Sequence, residues 1–403
     1  MIFLSDNHRQ YSYEDLILSV CKDSYCPMLK TSDLFHFFAN MITALVSGES
    51  LLLLDSDLNL SEIPNIDERR INCQVGIEPI SFSNIEELIA AVQSSKSRIT
   101  IFTSGTTGQP KEVVHTIGTI TRAVRTGNHY AGQTWAFAYN PTHMAGLQVF
   151  FQVLYNQGTM VNVFNHNRSD IYNQIERWKI THISATPTFY RLLLPFEKEF
   201  PSVKRVTLGG EMSSAELYDK ICQIFPNAKI NNIYASTEAG TLFSAKGEAF
   251  HIPDDIADKI KVIDQELLIH RNLLGQSESL VFDNDYYHTG DLIEWVDQES
   301  GLFRFKSRKN ELINVGGYKV NPTEVEKAIL SIAGVCQARV FGKANSVLGN
   351  VLCADIQISP KTTLTEFDVR QQLSQLLQDY KIPRRIKFVE KISLTRTGKI
   401  NRN

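Results

Sequence analysis

The sequence contains no two cysteines in a C-x-x-C arrangement. Its six cysteines (Cys21, Cys26, Cys73, Cys222, Cys336 and Cys353) are scattered along the chain. This argues against a metal or disulfide framework and for reduced thiols. Apolar runs are short, Leu51–Leu54 among them, and none approaches the roughly 20 residues that a spanning helix needs. The first residues lack a basic stretch followed by an apolar one, so no secretory leader is expected and the cytoplasm is the expected location. Neither charge dominates. The 41 Lys and Arg against 44 Asp and Glu leave a net charge of −3, which gives no electrostatic footprint for nucleic acid. There is no internal repeat and no low-complexity linker. What remains, at 403 residues and 43% hydrophobic, has the composition of an ordinary globular protein of two or three domains with a large core.

Helical and strand periods alternate through the first two thirds of the chain. Leu34, Phe35, Phe37, Phe38, Met41, Ile42 and Leu45 carry helical spacing, Gly48 ends that run, and Leu51–Leu54 reads as a buried strand. Further strands are expected at 98–103, 134–139, 159–164, 181–185, 204–208 and 229–234, with helical stretches between them, including 117–130. This pattern predicts an α/β domain with mostly parallel strands, and ligand residues at strand ends. From about 259 short strands suggest a small β-layer. After a boundary near 308–310, an α+β module follows, so the expected domains are 1–308 and 309–403.

The richest stretch is Thr103–Lys111, TSGTTGQPK. It combines the hydroxyls of Thr103, Ser104, Thr106 and Thr107 with Gly105, Gly108 and the cation of Lys111. Bare backbone N–H groups, hydroxyls and one cation suit a polyanion such as a nucleotide triphosphate. The spacing is not that of a Walker A loop, because Pro110 precedes Lys111 and Glu112 follows it. Four other elements stand out, each with a plainer alternative. Leu208–Gly209–Gly210–Glu211 offers bare backbone to a flat ligand, or is a simple tight turn. In YASTEAG (234–240), Tyr234 suits a base, Thr237 a phosphate oxygen and Glu238 a hard cation; the segment also reads as a helix N-cap. In YHTGD (287–291), Asp291 suits two ribose hydroxyls or caps an Asx turn. TRTGK (395–399) reads alone as a solvated charge cluster.

In this order and at these spacings, the five elements, together with SRKNELINVGGYKVNPTEVE at 307–326, resemble the acyl-adenylate-forming family: acyl- and aryl-CoA synthetases, peptide-synthetase adenylation domains and luciferases. The resemblance covers roughly residues 97–403. It implies ATP and Mg²⁺, a carboxylic-acid substrate, and coenzyme A or the phosphopantetheine of an acyl carrier protein as the thiol, with neither nucleic acid nor a membrane span. On that resemblance Thr103–Lys111 grips the β- and γ-phosphates, Tyr234 packs on adenine, and Gly209, Gly210 and Glu211 line the same pocket. Thr237 touches the α-phosphate, Glu238 holds Mg²⁺, and Asp291 holds the ribose with help from Arg308. Lys399 acts in the adenylation step, Asn310 marks the hinge of a small mobile C-terminal domain, and Gly316 and Gly317 line the thiol channel.

The physics fits these assignments. Carboxylate and α-phosphate are both anions, and two unit charges about 4 Å apart interact by about 4 kcal/mol at an effective dielectric near 20. A lysine between them turns that repulsion into attraction. Departures from the family pattern include Glu112, Ser307, Ala235 and Asn310, and none removes a reacting group. The chain is short for the family, with its N-terminal portion and the 238–291 segment abbreviated. The acid pocket is expected around Asn140, His143, Gly209 and Gly240. Tyr139, Asn140 and Pro141 place no acid where amino-acid-activating domains pair with an ammonium, so an aryl or acyl acid is preferred. An amino-acid-activating enzyme and a non-catalytic adenylate-binding protein are the alternatives.

Overall fold

The computed structural model describes the chain except residues 7–8, 59, 61–62, 64–65, 104–109, 212, 214, 316–317, 346–348, 361 and 394–403. Its largest element is an eight-stranded sheet. In spatial order the strands are Gly240–Ala245, Lys229–Ser236, Arg205–Gly209, His182–Ala185, Thr134–Phe137, Thr159–Asn162, Ile2–Asp6 and Arg9–Ser12. The six inner strands run parallel and only the two edge strands are antiparallel. Parallel strands need covered faces, and the helices between them supply the cover. Met144–Tyr155 buries Leu147, Phe150, Phe151 and Leu154, while Arg168–Trp178 and Ala215–Ile224 bury Ile171, Ile175, Leu217 and Ile221.

A second sheet of four strands joins Met28–Lys30, Leu51–Leu54, Arg98–Thr103 and Lys111–Thr116. The helix between its first two strands, Leu34–Val46, starts at Asp33, whose side chain accepts from the His36 N–H, and places Phe37, Phe38, Met41 and Ile42 in the core. Gly48 follows at φ 78°, as the expected helix stop requires. Arg98–Thr103 and Lys111–Thr116 form an antiparallel hairpin with Thr103 opposite Lys111, so the glycine-rich loop joins the two strands of one hairpin. The helix expected at 117–130 is cut to Ile117–Thr121. Beyond it the chain turns at 122–123 and runs without regular structure to Gly127, at φ 126°, after which a 3₁₀ turn spans Asn128–Tyr130.

The third sheet contains the long strand Tyr286–Asp297, paired with Glu266–His270 on one side and Leu302–Arg308 on the other. A separate core follows. Val315, Val325, Ile329, Val340, Leu352, Ile356, Val369 and Leu373 pack together, between the sheet of Ile313–Val315, Tyr318–Val320, Val335–Asn345, Gly349–Ile358 and Arg385–Phe388 and the helices Pro322–Leu330 and Glu366–Leu376. Among the described residues no helix is long and apolar enough to cross a membrane.

Candidate functional site

A cleft of about 2000 Å³ lies over the carboxyl ends of the parallel strands, where open α/β sheets bind ligands. Its walls include Lys111, Gly209–Glu211, Tyr234–Glu238 and Asp291 on one side, and Glu326 and Lys327 of the C-terminal core on the other.

Asp291 is the best-anchored polar group in the cleft. The YHTGD element is not a turn between elements; it lies within the strand Tyr286–Asp297. Leu268 pairs with His288 and Glu266 with Leu292, so Thr289, Gly290 and Asp291 face only Leu267 and bulge out of the ladder. Gly290 takes φ 74°, which the bulge demands and a side chain would resist. Arg308 Nε donates to Asp291 Oδ1 at 2.7 Å, and the Tyr234 hydroxyl donates to Oδ2 at 2.6 Å. The Asp291 carboxylate holds the Arg308 pKa far up. Burial, then the Asp291 charge, pushes the Tyr234 hydroxyl well above its ordinary value. A carboxylate offers about four acceptor positions; two are taken, and two remain for a diol.

Tyr234 differs from expectation in its surroundings. Its ring stacks on Phe305 at 4.4 Å and on Phe243 at 5.5 Å. Protein rings already occupy it, and the service visible here is its bond to Asp291.

Beneath Asp291 sits Glu266, which sequence reasoning missed. Its side chain is only 6% exposed. It accepts from the Gly290 N–H at 2.9 Å, lies 3.1 Å from His288 Nδ1, and accepts from Lys309 Nζ at 3.3 Å. Burial works to raise its pKa, but the bonds from His288, Gly290 and Lys309 outweigh burial and hold it below the ordinary range. The signal was present in the sequence: an acid at the head of the apolar strand ELLIH needs partners if it is buried.

The YASTEAG element forms no helix, so the N-cap alternative falls. Ser236 pairs with Gly240 across an antiparallel hairpin, and the Ser236 hydroxyl accepts from the Ala239 N–H at 3.1 Å. Thr237 and Glu238 occupy the turn and line the cleft. No hydrogen bond or ion pair reaches the Glu238 carboxylate among the described residues, and no cluster of three or more metal-ligating side chains exists among them. A single open carboxylate beside a phosphate site suits Mg²⁺, which takes one or two carboxylates and completes its shell with phosphate oxygens and water. A fully protein-caged metal does not fit. His115 is buried, with Nε2 2.9 Å from the Thr237 carbonyl and Nδ1 3.2 Å from the Thr119 hydroxyl. Burial pushes its pKa down to about 4, so the ring is neutral.

On the acid side, Gly209 lies against Ile233, where a Cβ would come within 2.6 Å of Cγ1, and Gly210 takes φ 80°. The Glu211 side chain is committed at the wall of the cleft rather than open to it. Its carboxylate accepts from the Thr188 N–H at 3.0 Å and the Thr188 hydroxyl at 2.7 Å, with Arg191 at 3.8 Å. Asn140 is buried and engaged: its amide donates to Asp55 at 2.8 Å and its carbonyl accepts from the Thr142 N–H and hydroxyl. Its polar atoms brace the turn, leaving His143, stacked on Tyr139 at 6.3 Å, as the polar wall residue. Gly240, at φ 65°, closes the hairpin. Ser104, Gly105, Thr106, Thr107, Gly108, Gly316, Gly317 and Lys399 lie outside the described residues, as do the side chains of Thr103 and Asn310.

This arrangement of strand-end loops is matched by two family models: that of AMP-binding enzymes over residues 81–263, and that of the AMP-binding enzyme C-terminal domain over residues 324–399. The chain belongs to the AMP-binding enzyme family. Among curated proteins it is similar to 4-hydroxybutyrate–CoA ligase 1 of Metallosphaera sedula, 29% identical over 355 residues covering 75% of this chain and 61% of that protein. It is also similar to 2-succinylbenzoate–CoA ligase of Staphylococcus aureus, 26% identical over 337 residues covering 75% and 65%. The chain thus spans less than two thirds of the length of these relatives. The fold is shared with o-succinylbenzoate CoA synthetase of Bacillus subtilis in complex with its acyl-adenylate (TM-score 0.73, 19% identity, 99% of this chain and 94% of that one). It is shared as well with ATP-bound MatB of Rhodopseudomonas palustris (TM-score 0.74, 15% identity, with the same coverage).

Proposed function

We propose that this protein activates a carboxylic acid with ATP to an acyl-AMP and then passes the acyl group to a thiol, releasing AMP. The observation that carries this reading is the Asp291 carboxylate. It is fixed by Tyr234 and Arg308 with two acceptor positions to spare, in the same cleft as Lys111, Thr237 and Glu238. That combination suits a ribose diol at one end and a triphosphate at the other. An ATP-bound relative fold and CoA-ligase relatives support it.

In this reading the acid carboxylate attacks the α-phosphorus, the bond to the pyrophosphate oxygen breaks, and the pyrophosphate leaves carrying the electron pair. No general base is needed, since the nucleophile is already an anion. Mg²⁺ at Glu238 would neutralise charge on the departing pyrophosphate. Thr237 steadies the α-phosphate, and Lys111 and its loop hold the leaving group. Lys399 brings positive charge to the meeting anions, which strengthens as charge develops. The thiol sulfur then attacks the acyl carbon, the carbon–oxygen bond to the phosphate breaks, AMP leaves with the electron pair, and the thiol proton is released to water. Residues 309–403 would reorient between the two steps about Asn310, exchanging Lys399 for Gly316 and Gly317.

The acid side is walled by Tyr139, His143 and Gly209, and its one carboxylate, Glu211, is committed to Thr188 and lies by Arg191, which favours an aryl or acyl acid over an amino acid. The names of both relatives favour coenzyme A as the thiol. The test is an acid-dependent ATP–pyrophosphate exchange screen over aryl, hydroxyacyl, fatty and amino acids, followed by thioester formation with coenzyme A or a carrier protein. Exchange with none of the acids, or with amino acids alone, would overturn the reading.

A further inference from the structure

The two halves of the nucleotide site come from different sheets. The hairpin that carries Lys111 belongs to the four-stranded sheet, and the turn that carries Thr237 and Glu238 belongs to the eight-stranded sheet. A ligand gripped by both needs them held in register, to about half an ångström for productive geometry.

Three successive carbonyls of that turn are each bound from outside its hairpin. The Thr237 carbonyl is met by His115 Nε2 at 2.9 Å, and His115 lies on the same strand as Lys111. A carbonyl only accepts, so the ring carries a proton on Nε2 and donates it there, while Nδ1 lies 3.2 Å from the Thr119 hydroxyl. The Glu238 carbonyl accepts from the Gly275 N–H at 2.7 Å. The Ala239 carbonyl accepts from Arg122, which also donates to the Leu273 carbonyl at 3.2 Å. These donors are themselves joined. Val114 and Gln276 exchange two backbone bonds of 2.8 Å. Gly275 lies so close to His115 that a Cβ there would come within 2.4 Å of ring Cε1.

We infer that His115, supported by Arg122 and Gly275, is a positioning residue: it fixes the Thr237–Glu238 turn to the phosphate-loop strand, so that the Mg²⁺ ligand and the phosphate grip act on one nucleotide. The inference rests on the proposed reading of Thr237 and Glu238. Binding the main chain leaves both side chains open to the cleft. Outer partners that orient a metal ligand typically change affinity by about ten- to hundred-fold when removed.

The test is equilibrium binding of ATP to the full chain, with and without Mg²⁺, together with thermal midpoints. His115→Leu fills the space without a donor, whereas His115→Gln can still donate to the Thr237 carbonyl. His115→Leu should weaken Mg²⁺–ATP binding about tenfold or more, and metal-free ATP binding much less. His115→Gln should recover most of the loss. Arg122→Met, at a solvent-accessible position, should loosen Mg²⁺–ATP binding in the same direction should His115→Leu fail to fold. Equal losses with and without Mg²⁺, no rescue by Gln, or unchanged Mg²⁺–ATP binding in Arg122→Met overturns the inference while leaving the proposed function standing. A wild-type chain that binds no Mg²⁺–ATP overturns both.

Discussion

Tyr234→Phe removes one hydroxyl and keeps the ring in its stack with Phe243 and Phe305. The lost bond is 2.6 Å long and ends on a carboxylate whose side chain is only 10% exposed. Little water can take the vacated place. Hydrogen bonds to charged groups contribute about 1.5–3 kcal/mol. Arg308 still holds Oδ1 at 2.7 Å, so Asp291 keeps its charge and one of its two anchors. The expected loss is therefore at the low end, about 1.5 kcal/mol, or roughly tenfold in KM for ATP at 1.4 kcal/mol per decade. kcat should change little, because the ribose diol held by Asp291 is several bonds away from the α-phosphorus. The assay is pyrophosphate exchange at varied ATP and saturating Mg²⁺, with thermal unfolding in parallel. Asp291→Asn and the double variant complete a cycle: if Tyr234 acts through Asp291, the two losses fail to add by about 1 kcal/mol or more. An unchanged KM for ATP, or strictly additive losses, would refute the reasoning.

Three further predictions concern Lys399, on the proposed function, and Gly209 and His182, on their packing. Lys399→Ala should nearly abolish pyrophosphate exchange while leaving thioester formation from supplied acyl-AMP largely intact; normal exchange would remove Lys399 from its role. Gly209→Ala drives a methyl into Ile233, with an expected cost of about 1–3 kcal/mol from overpacking. Thermal unfolding measures that cost, and Ile233→Ala in the same chain should restore part of it. His182 is buried against Trp135, and burial first, then Arg205, Lys204 and His129, push its pKa down to about 4 from 6.5. Because the folded value is the lower one, its contribution is complete above pH 6.5 and is lost as the pH falls towards 4, by roughly 3 kcal/mol in all. Denaturant unfolding at pH 7 and pH 5 should show a smaller acid loss in His182→Leu than in the wild type; equal losses would contradict the assignment.

The strand-and-helix alternation that predicts a parallel sheet is legible because each buried strand is short, apolar and bounded by glycine or polar residues. Asp291 and Arg308 stand out in the sequence because their residue types are unusual at strand ends. The supporting residues leave weaker traces. Glu266 and His115 work as buried polar groups bonded to main chain far away in sequence, and no local pattern records such a bond. YHTGD reads locally as an Asp in a tight glycine turn, but a bulge inside a long strand has the same local composition. Only the pairing with Glu266–His270 tells the two apart. Asn140 and Glu211 lie in the expected region, yet their polar atoms are engaged with Asp55, Thr142 and Thr188. Proximity in sequence to a pocket does not reveal which way a side chain is committed.

The bulge at Thr289–Asp291 also bears on how this chain tolerates insertions and deletions. Side chains along a strand alternate between faces with a period of two. Three residues here oppose Leu267 alone, which sets the phase of everything from Leu292 onward. Removing one of the three would turn Ile293, now buried in the core, toward solvent, and would break the pairing of Asp291 with Arg308. At this place the length of the chain constrains the protein more tightly than the identity of most residues in it. Changes in length should be absorbed instead by the loop between 297 and 302.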